Sequence, residues 1–181
     1  MTQVVNIVAS GHLHREFDTA ELASTASLPV TKRTQDGRVY FDFPAVDATV
    51  SLSRTGQYLI SGAKDIDTVN DSRESLISAL QEVGAEIDIE SVESPGISNI
   101  VFSGELKNAT EGVDLARLVK DLGLDKASYE PEQFSQVVYR PDELDCVILI
   151  FSSGKVTITG CTEFETGDKA MELLQSKLQS R

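Results

Sequence analysis

The sequence predicts an α+β protein made of two tandem, pseudo-symmetric repeats, each an antiparallel sheet with helices on one face. Three observations carry this. First, three segment pairs match in the same order along the 181-residue chain. Val5-Asn6-Ile7-Val8-Ala9-Ser10-Gly11 matches Ser98-Asn99-Ile100-Val101-Phe102-Ser103-Gly104 at an offset of 93. Phe17 to Ala23 matches Val113 to Val119 at an offset of 96, and Thr55 to Ala63 matches Ser153 to Cys161 at 98. Collinear order with a drift of five residues is what duplication plus small loop insertions produces. Second, β-like segments outnumber helical ones and alternate in polarity. Third, a longer amphipathic helix closes each repeat. The repeats are set at residues 1–93 and 94–181.

Each repeat opens with a β-rich segment, Val4 to Ser10 and Ile97 to Ser103. A helix start follows, where Asp18 and Asp114 are suited to accept from the free N–H groups of the first turn. Leu115, Leu118, Val119 and Leu122 then recur at helical spacing. Three β-like segments come next, in the second repeat Gln136 to Arg140, Cys146 to Phe151 and Lys155 to Gly160. Ser152-Ser153-Gly154 between the last two is a hairpin signal. The closing helices lie near Val69 to Val83, striped by Leu76, Ile77, Leu80 and Val83, and near Glu165 to Leu178, striped by Met171, Leu174 and Leu178. Alternation sets Val156, Ile158 and Gly160 on one side, with Lys155, Thr157 and Thr159 on the other. One sheet face is thus covered by helices, and the other is either a binding surface or an ordinary solvated face.

A net charge of −13 and a pI of about 4.5 accompany 40% hydrophobic residues, so the acidity does not imply disorder. The longest apolar runs, such as Val147 to Phe151, are too short to span a bilayer. No charged-then-apolar leader opens the chain, so a cytoplasmic protein is expected. The charge alone argues against phosphate binding, which usually shows as a basic patch. Cys146 and Cys161 do not make a disulfide framework and are expected as two buried thiols on neighbouring strands. His12 and His14 form an H-x-H without further obvious ligands, so no metal is expected. No P-loop, dinucleotide-binding glycine pattern or nucleophile elbow is present, and abundant carboxylates carry no catalytic weight. The chain is expected not to be an enzyme and to need no cofactor.

Tyr129-Glu130-Pro131-Glu132-Gln133-Phe134, Val137-Val138-Tyr139-Arg140-Pro141 and Ile148 to Gly160 closely resemble the TATA-box-binding protein family, especially its archaeal branch. Asn6-Ile7-Val8 and Asn99-Ile100-Val101 resemble that family's paired signature. The resemblance runs through the whole duplicated chain, most specifically over residues 97–161 and least over 28–55. It implies a saddle, a curved antiparallel sheet with helices on the convex face and the minor groove of DNA on the concave one. That family is itself the type case of minor-groove kinking by apolar wedges, so the mechanism comes with the resemblance.

On this resemblance, Asn6, Val8, Leu59, Ser61, Asn99, Val101, Leu149, Thr157 and Thr159 would lie on the groove. Methyl groups tolerate A·T pairs and reject the guanine amino group, while two amides donate to base acceptors. The family position of Thr157 is usually apolar, so a methyl is kept and a hydroxyl added. Phe134 and Phe151 match the second repeat's wedging pair; for either phenylalanine taken singly, core packing is the alternative. Arg140 and Lys155 match phosphate-facing positions. Glu130, Glu132 and Gln133 form the loop that would dock transcription factor B and, through it, RNA polymerase; the alternative is a solvated acidic loop. The expected partner is double-stranded promoter DNA, with no membrane, in a nucleoid-associated protein.

The first repeat departs from this pattern. Counting back from Gly56 as from Gly154 sets Ser53 at the place of Phe151, Asp36 near that of Phe134, Asp42 near that of Arg140, and Gln57 at that of Lys155. Lys64 keeps a basic position that Thr162 loses. Lys32, Arg33, Arg38 and Arg54 offer other positive charge, while Tyr40, Phe41 and Phe43 are expected in strands or core. The expectation is a strong kink at one end and a weak one at the other. Three readings follow. One is a transcription initiation factor that binds and bends TATA-like DNA. Another is a divergent paralogue acting mainly as a partner-docking or regulatory module. The third, a domain associated with a nucleic-acid enzyme, has no catalytic constellation behind it.

The acidity is spread over both repeats. Residues 1–93 hold 7 basic and 15 acidic groups, net −8, and residues 94–181 hold 9 and 14, net −5. With only eight lysines, this resembles proteins of a salt-rich cytoplasm, where phosphate attraction is screened in any case. An apolar, wedging groove surface needs less cationic help than a phosphate clamp.

Overall fold

The computed structural model describes residues 1–33, 36–107 and 112–179. Its described elements are β1 (Gln3–His12), α1 (Thr19–Ser24), β2 (Val30–Arg33), β3 (Val39–Asp42), β4 (Thr49–Leu52), β5 (Gln57–Ala63), α2 (Ile66–Glu82), β6 (Gly96–Glu105), α3 (Leu115–Leu122), β7 (Ala127–Ser128), β8 (Gln136–Tyr139), β9 (Val147–Phe151), β10 (Lys155–Cys161) and α4 (Glu165–Gln179). They divide into two compact units, residues 6–98 and residues 99–181 with 1–5.

In the unit of residues 6–98 the antiparallel strand order is β2-β3-β4-β5-β1. Its core is the inward set Ile7, Ala9, Val39, Phe41, Val50, Leu52, Tyr58 and Ile60 with Val69, Leu76, Ile77 and Leu80 of α2, all buried. Phe41 and Phe43 stack with ring centroids 5.7 Å apart. Asp18 caps α1 by accepting from Ala20 and Glu21 N–H, and Asp65 caps α2 by accepting from Thr68 N–H. That bond holds the Asp65 carboxyl below its ordinary value.

In the other unit the order is β6-β10-β9-β8-β7. Ile100, Phe102, Val137, Tyr139, Ile148, Ile150, Val156 and Ile158 pack with Leu118, Met171 and Leu174. Asp114 caps α3 through Arg117 N–H, 3.1 Å. Gly167 of α4 lies so close to the Phe102 ring that a Cβ there would stand 2.5 Å from it, which is why this helix carries a glycine at its contact with the sheet. Residues 1–5 join this unit partly through Thr2, whose N–H and hydroxyl both donate to Asp168, 2.7 and 2.9 Å.

Two expectations need correction. The inward set of β10 is Val156, Ile158 and Cys161, not Gly160, because the ladder slips between Ile158 and Cys161. Gly160 takes φ 82° and faces outward, and Gly62 does the same in β5 with φ 98°. Four strands, and not three, follow the first helix of each repeat, because β2 and β7 are only four and two residues long and carry no alternation to be read from sequence.

Cys146 and Cys161 are buried, 7% and 1% exposed, at the places held by Ala48 and Ala63 in the other unit. Burial first, and the neighbouring Cys161 second, push the Cys146 thiol up to about 11 from an ordinary 9.0. A thiol pKa raised on folding contributes stability that is complete below pH 9 and is lost as pH rises towards 11. The expected result is a urea midpoint that falls between these pH values in the native sequence and falls less steeply when both cysteines are alanine, the remaining fall belonging to other groups raised on folding, such as Tyr58 and Tyr139. A thiol reagent at pH 8 should label neither cysteine until the chain unfolds.

Candidate nucleic-acid interface

In each unit the helices cover one sheet face, and the residues of opposite parity line the other. In the unit of residues 99–181, strand register sets Ser103, Thr157, Leu149 and Val138 in one row across that face. Thr159 stands opposite Val147 in the next row. All are half-buried, so a methyl-rich surface is held open to solvent. Asn99 and Val101 have the same parity on β6. In the unit of residues 6–98 the corresponding rows are Ser10, Leu59, Ser51 and Tyr40, then Val8, Ser61, Thr49 and Asp42. Every groove residue named from the sequence therefore lies on the helix-free face of its own unit. Sequence reasoning missed Ser103, Val138 and Val147 here, and Ser10, Thr49 and Ser51 in the first unit. Their alternation with buried neighbours was the available signal.

The bulges fix the amides. Gly62 N–H donates to Asn6 Oδ1 at 2.7 Å, and Gly160 N–H donates to Asn99 Oδ1 at 2.8 Å. A backbone donor can only meet the carbonyl end of the carboxamide, so the amide orientation is settled in both units. The Nδ2 groups are thereby the ends that remain to donate elsewhere. Asn99 Nδ2 reaches Thr159 Oγ1 at 3.2 Å, with a second proton to spare. An amide presented in this way suits an acceptor in a flat polar edge, which is what the floor of an A·T minor groove offers.

Phe134 is 53% exposed at the end of the loop before β8. Its N–H and that of Gln133 both donate to the Glu130 carbonyl, 2.8 and 2.9 Å, so Glu130 to Phe134 is a tight turn with Glu130, Glu132 and Gln133 exposed on it. Phe151 is half-buried, opposite Gln136 on the same face as Leu149. At 53% exposure the Phe134 ring is not packed into the core. A hollow of about 190 Å³ bounded by Glu130, Phe134, Gln136, Val138 and Arg140 brings the first ring and Arg140 to one edge of the face. Lys155 is exposed at the start of β10, with Glu105 as its register partner.

Strand register bears on the first repeat. Val39 pairs Leu52 as Val137 pairs Ile150, and Leu52 pairs Tyr58 as Ile150 pairs Val156. The offset of 98 therefore holds from β3 through β5, which sets Asp42 at the place of Arg140 and Ser53 at that of Phe151. Carried three residues back from the start of β3, it sets Asp36 at that of Phe134. Ser53 is spent on its own hairpin. Its Oγ lies 3.0 Å from Thr55 Oγ1 and accepts from Gln57 N–H at 3.2 Å. Two cations proposed from sequence are paired, Arg54 with Glu16 and Lys64 with Asp47, both at 3.1 Å. The side chains of Lys32 and Arg33 lie outside the described residues.

Among the described residues no group of three or more His, Cys, Asp or Glu could hold a metal ion. His12 Nδ1 instead accepts from His14 N–H at 2.8 Å. No described helix is long and apolar enough to cross a membrane.

Comparison with known proteins gives a consistent result. The family model described as Transcription factor TFIID (or TATA-binding protein, TBP) matches residues 1–83 and again 94–181. TATA-box-binding protein C of Halobacterium salinarum is 33% identical over 180 residues, covering 98% of this chain and 97% of that one. TATA-box-binding protein 1 of Methanosarcina acetivorans is 32% identical over 181 residues, covering 98% and 94%. The solved structure of Methanococcus jannaschii TBP superposes with a TM-score of 0.82 at 26% identity over 99% of both chains, so the expected fold class is the one found. Family and fold are those of transcription factors and not of enzymes. With both repeats matched and archaeal, largely halophilic relatives aligned end to end, the chain belongs to the TATA-binding protein family.

Proposed function

We propose that this chain is an initiation factor that binds the minor groove of TATA-like promoter DNA with its helix-free sheet faces, one half-site to each repeat, residues 1–93 and 94–181. The observation that carries the reading is the pair of carboxamides locked by a bulge glycine, Asn6 by Gly62 and Asn99 by Gly160. Each presents a donor without rearrangement, so little ordering cost falls on binding. Around Asn99, Val101, Leu149, Thr157 and Thr159 supply methyls that fit A·T pairs and collide with the guanine amino group. Val8, Leu59 and Ser61 serve around Asn6. Phe134 and Phe151 enter a base step and kink it, and Arg140 and Lys155 neutralise flanking phosphates. The Glu130, Glu132 and Gln133 turn docks a basic surface of transcription factor B, which brings RNA polymerase. The protein would act at the nucleoid.

A specific observation favours a second reading. With Ser53, Asp36 and Asp42 in place of two wedges and a cation, the chain would be a divergent paralogue that binds DNA weakly or asymmetrically and serves mainly to dock or sequester its partner.

A gel-shift series in KCl separates the two. The first reading expects a TATA duplex to be shifted in preference to a G·C-rich one, more strongly with transcription factor B present. Failure to shift DNA even with that partner would reject the first reading and leave the second. Reversing charge at Glu130 and Glu132 to lysine should cut the partner's enhancement of DNA binding by at least about tenfold without weakening binary DNA binding, since opposed charges at a rim govern association. Partner binding unaffected by the reversal would remove the turn from the docking surface.

A further inference from the structure

The first repeat lacks wedges, yet its open face is not bare. Arg38, at the place of Gln136, is half-buried, and its Nη1 donates to Ser51 Oγ at 3.0 Å. Ser51 stands at the place of Leu149, in the row Ser10, Leu59, Ser51, Tyr40, and is only 2% exposed. The guanidinium therefore lies down across the face onto its middle strand, instead of reaching outward from the edge as a phosphate ligand would. In the other repeat the same two places hold an amide and a leucine, next to a phenylalanine.

We infer that Arg38, seated on Ser51, is a further specificity-determining residue of the first repeat, and that its guanidinium enters a narrow, unkinked minor groove. This rests on the reading that the open faces bind the groove. Two physical facts support it. A half-site that receives no wedge is not pried open, so its groove keeps the width set by its own sequence. Stiff A-tracts have the narrowest grooves and the strongest negative potential there, which draws a planar cation able to donate to several acceptors at once. The second repeat needs the opposite, a flexible pyrimidine–purine step that unstacks around Phe134 and Phe151. The preferred site would then be composite, with a flexible step under one repeat and an A-tract under the other, and the protein would bind it in one orientation.

The test uses three duplexes that share a TA-step half and differ in the other half: an A-tract, alternating TA, or G·C-rich. Affinities are read by fluorescence anisotropy in KCl for the full chain, Arg38→Gln, Arg38→Lys and Ser51→Ala, after melts show that each variant folds. The full chain should prefer the A-tract duplex by about tenfold over alternating TA. Arg38→Gln should erase that preference, Arg38→Lys should keep only part of it, and Ser51→Ala should weaken it without adding to Arg38→Gln. If Arg38→Gln weakens all three duplexes equally and lowers the salt slope by about one, the residue is a phosphate contact and the inference fails. A full chain with no A-tract preference also overturns it. Failure of the full chain to bind any duplex would instead overturn the groove-binding reading beneath it.

Discussion

Phe151→Ala is expected to abolish most of the bend in bound DNA while leaving much of the binding. The ring is half-buried beside Leu149 on the open face, so its removal uncovers a shallow hollow and not a core cavity. The stability loss should be about 2 kcal/mol, below the 3–5 kcal/mol typical of a fully buried phenylalanine. A wedge spends a few kcal/mol on unstacking in return for added contact. Losing it removes both terms, so affinity changes less than geometry. Energy transfer between dyes on the two ends of a short duplex reads this directly. The reciprocal change, Ser53→Phe, should increase bending at the other end. It replaces a hydroxyl that serves only the hairpin through Thr55 and Gln57. Two equal kinks with the native sequence, or a bend unchanged in Phe151→Ala, would reject the asymmetric wedge.

Asn99→Asp is expected to weaken binding to a TATA duplex by 10- to 100-fold with the fold intact. The new carboxylate still accepts from Gly160 N–H, as Oδ1 does at 2.8 Å now, so the bulge keeps its partner. What disappears is the Nδ2 donor, and a negative charge arrives where base acceptors would lie. Loss of a good base contact is worth about 1–3 kcal/mol, which spans this range. Asn99→Leu is the contrasting variant. It strands the Gly160 N–H and should lower stability by about 1–3 kcal/mol as well. Native-like affinity in a folded Asn99→Asp protein would show that the amide faces no base.

Much of the molecule is legible in the chain because it is written twice. The Asp18 and Asp114 caps, the Leu76 and Met171 stripes, and the hairpin at Gly154 are local, set by periods and capping chemistry that need no partner segment. The placing of Leu149, Thr157 and Thr159 on the helix-free face of the second repeat follows from strand alternation in a dense motif. Other features were not readable. The outward turn of Gly160 breaks strict alternation, and only pairing reveals the slipped register. The pairing of Arg54 with Glu16 joins residues far apart in sequence.

By itself, then, the sequence determined the duplication, the α+β class, the family and which repeat is motif-complete. Each of these depends on residue type and spacing along one strand or helix. Only the tertiary structure decided that the carboxamides of Asn6 and Asn99 are held by their oxygens on the bulge glycines, and that Arg38 bonds Ser51. Those facts depend on which residues of different strands stand opposite one another. Register is fixed by burial across the whole sheet, where a slip of one residue would turn every inward side chain out. It is therefore set collectively and cannot be read from any one segment.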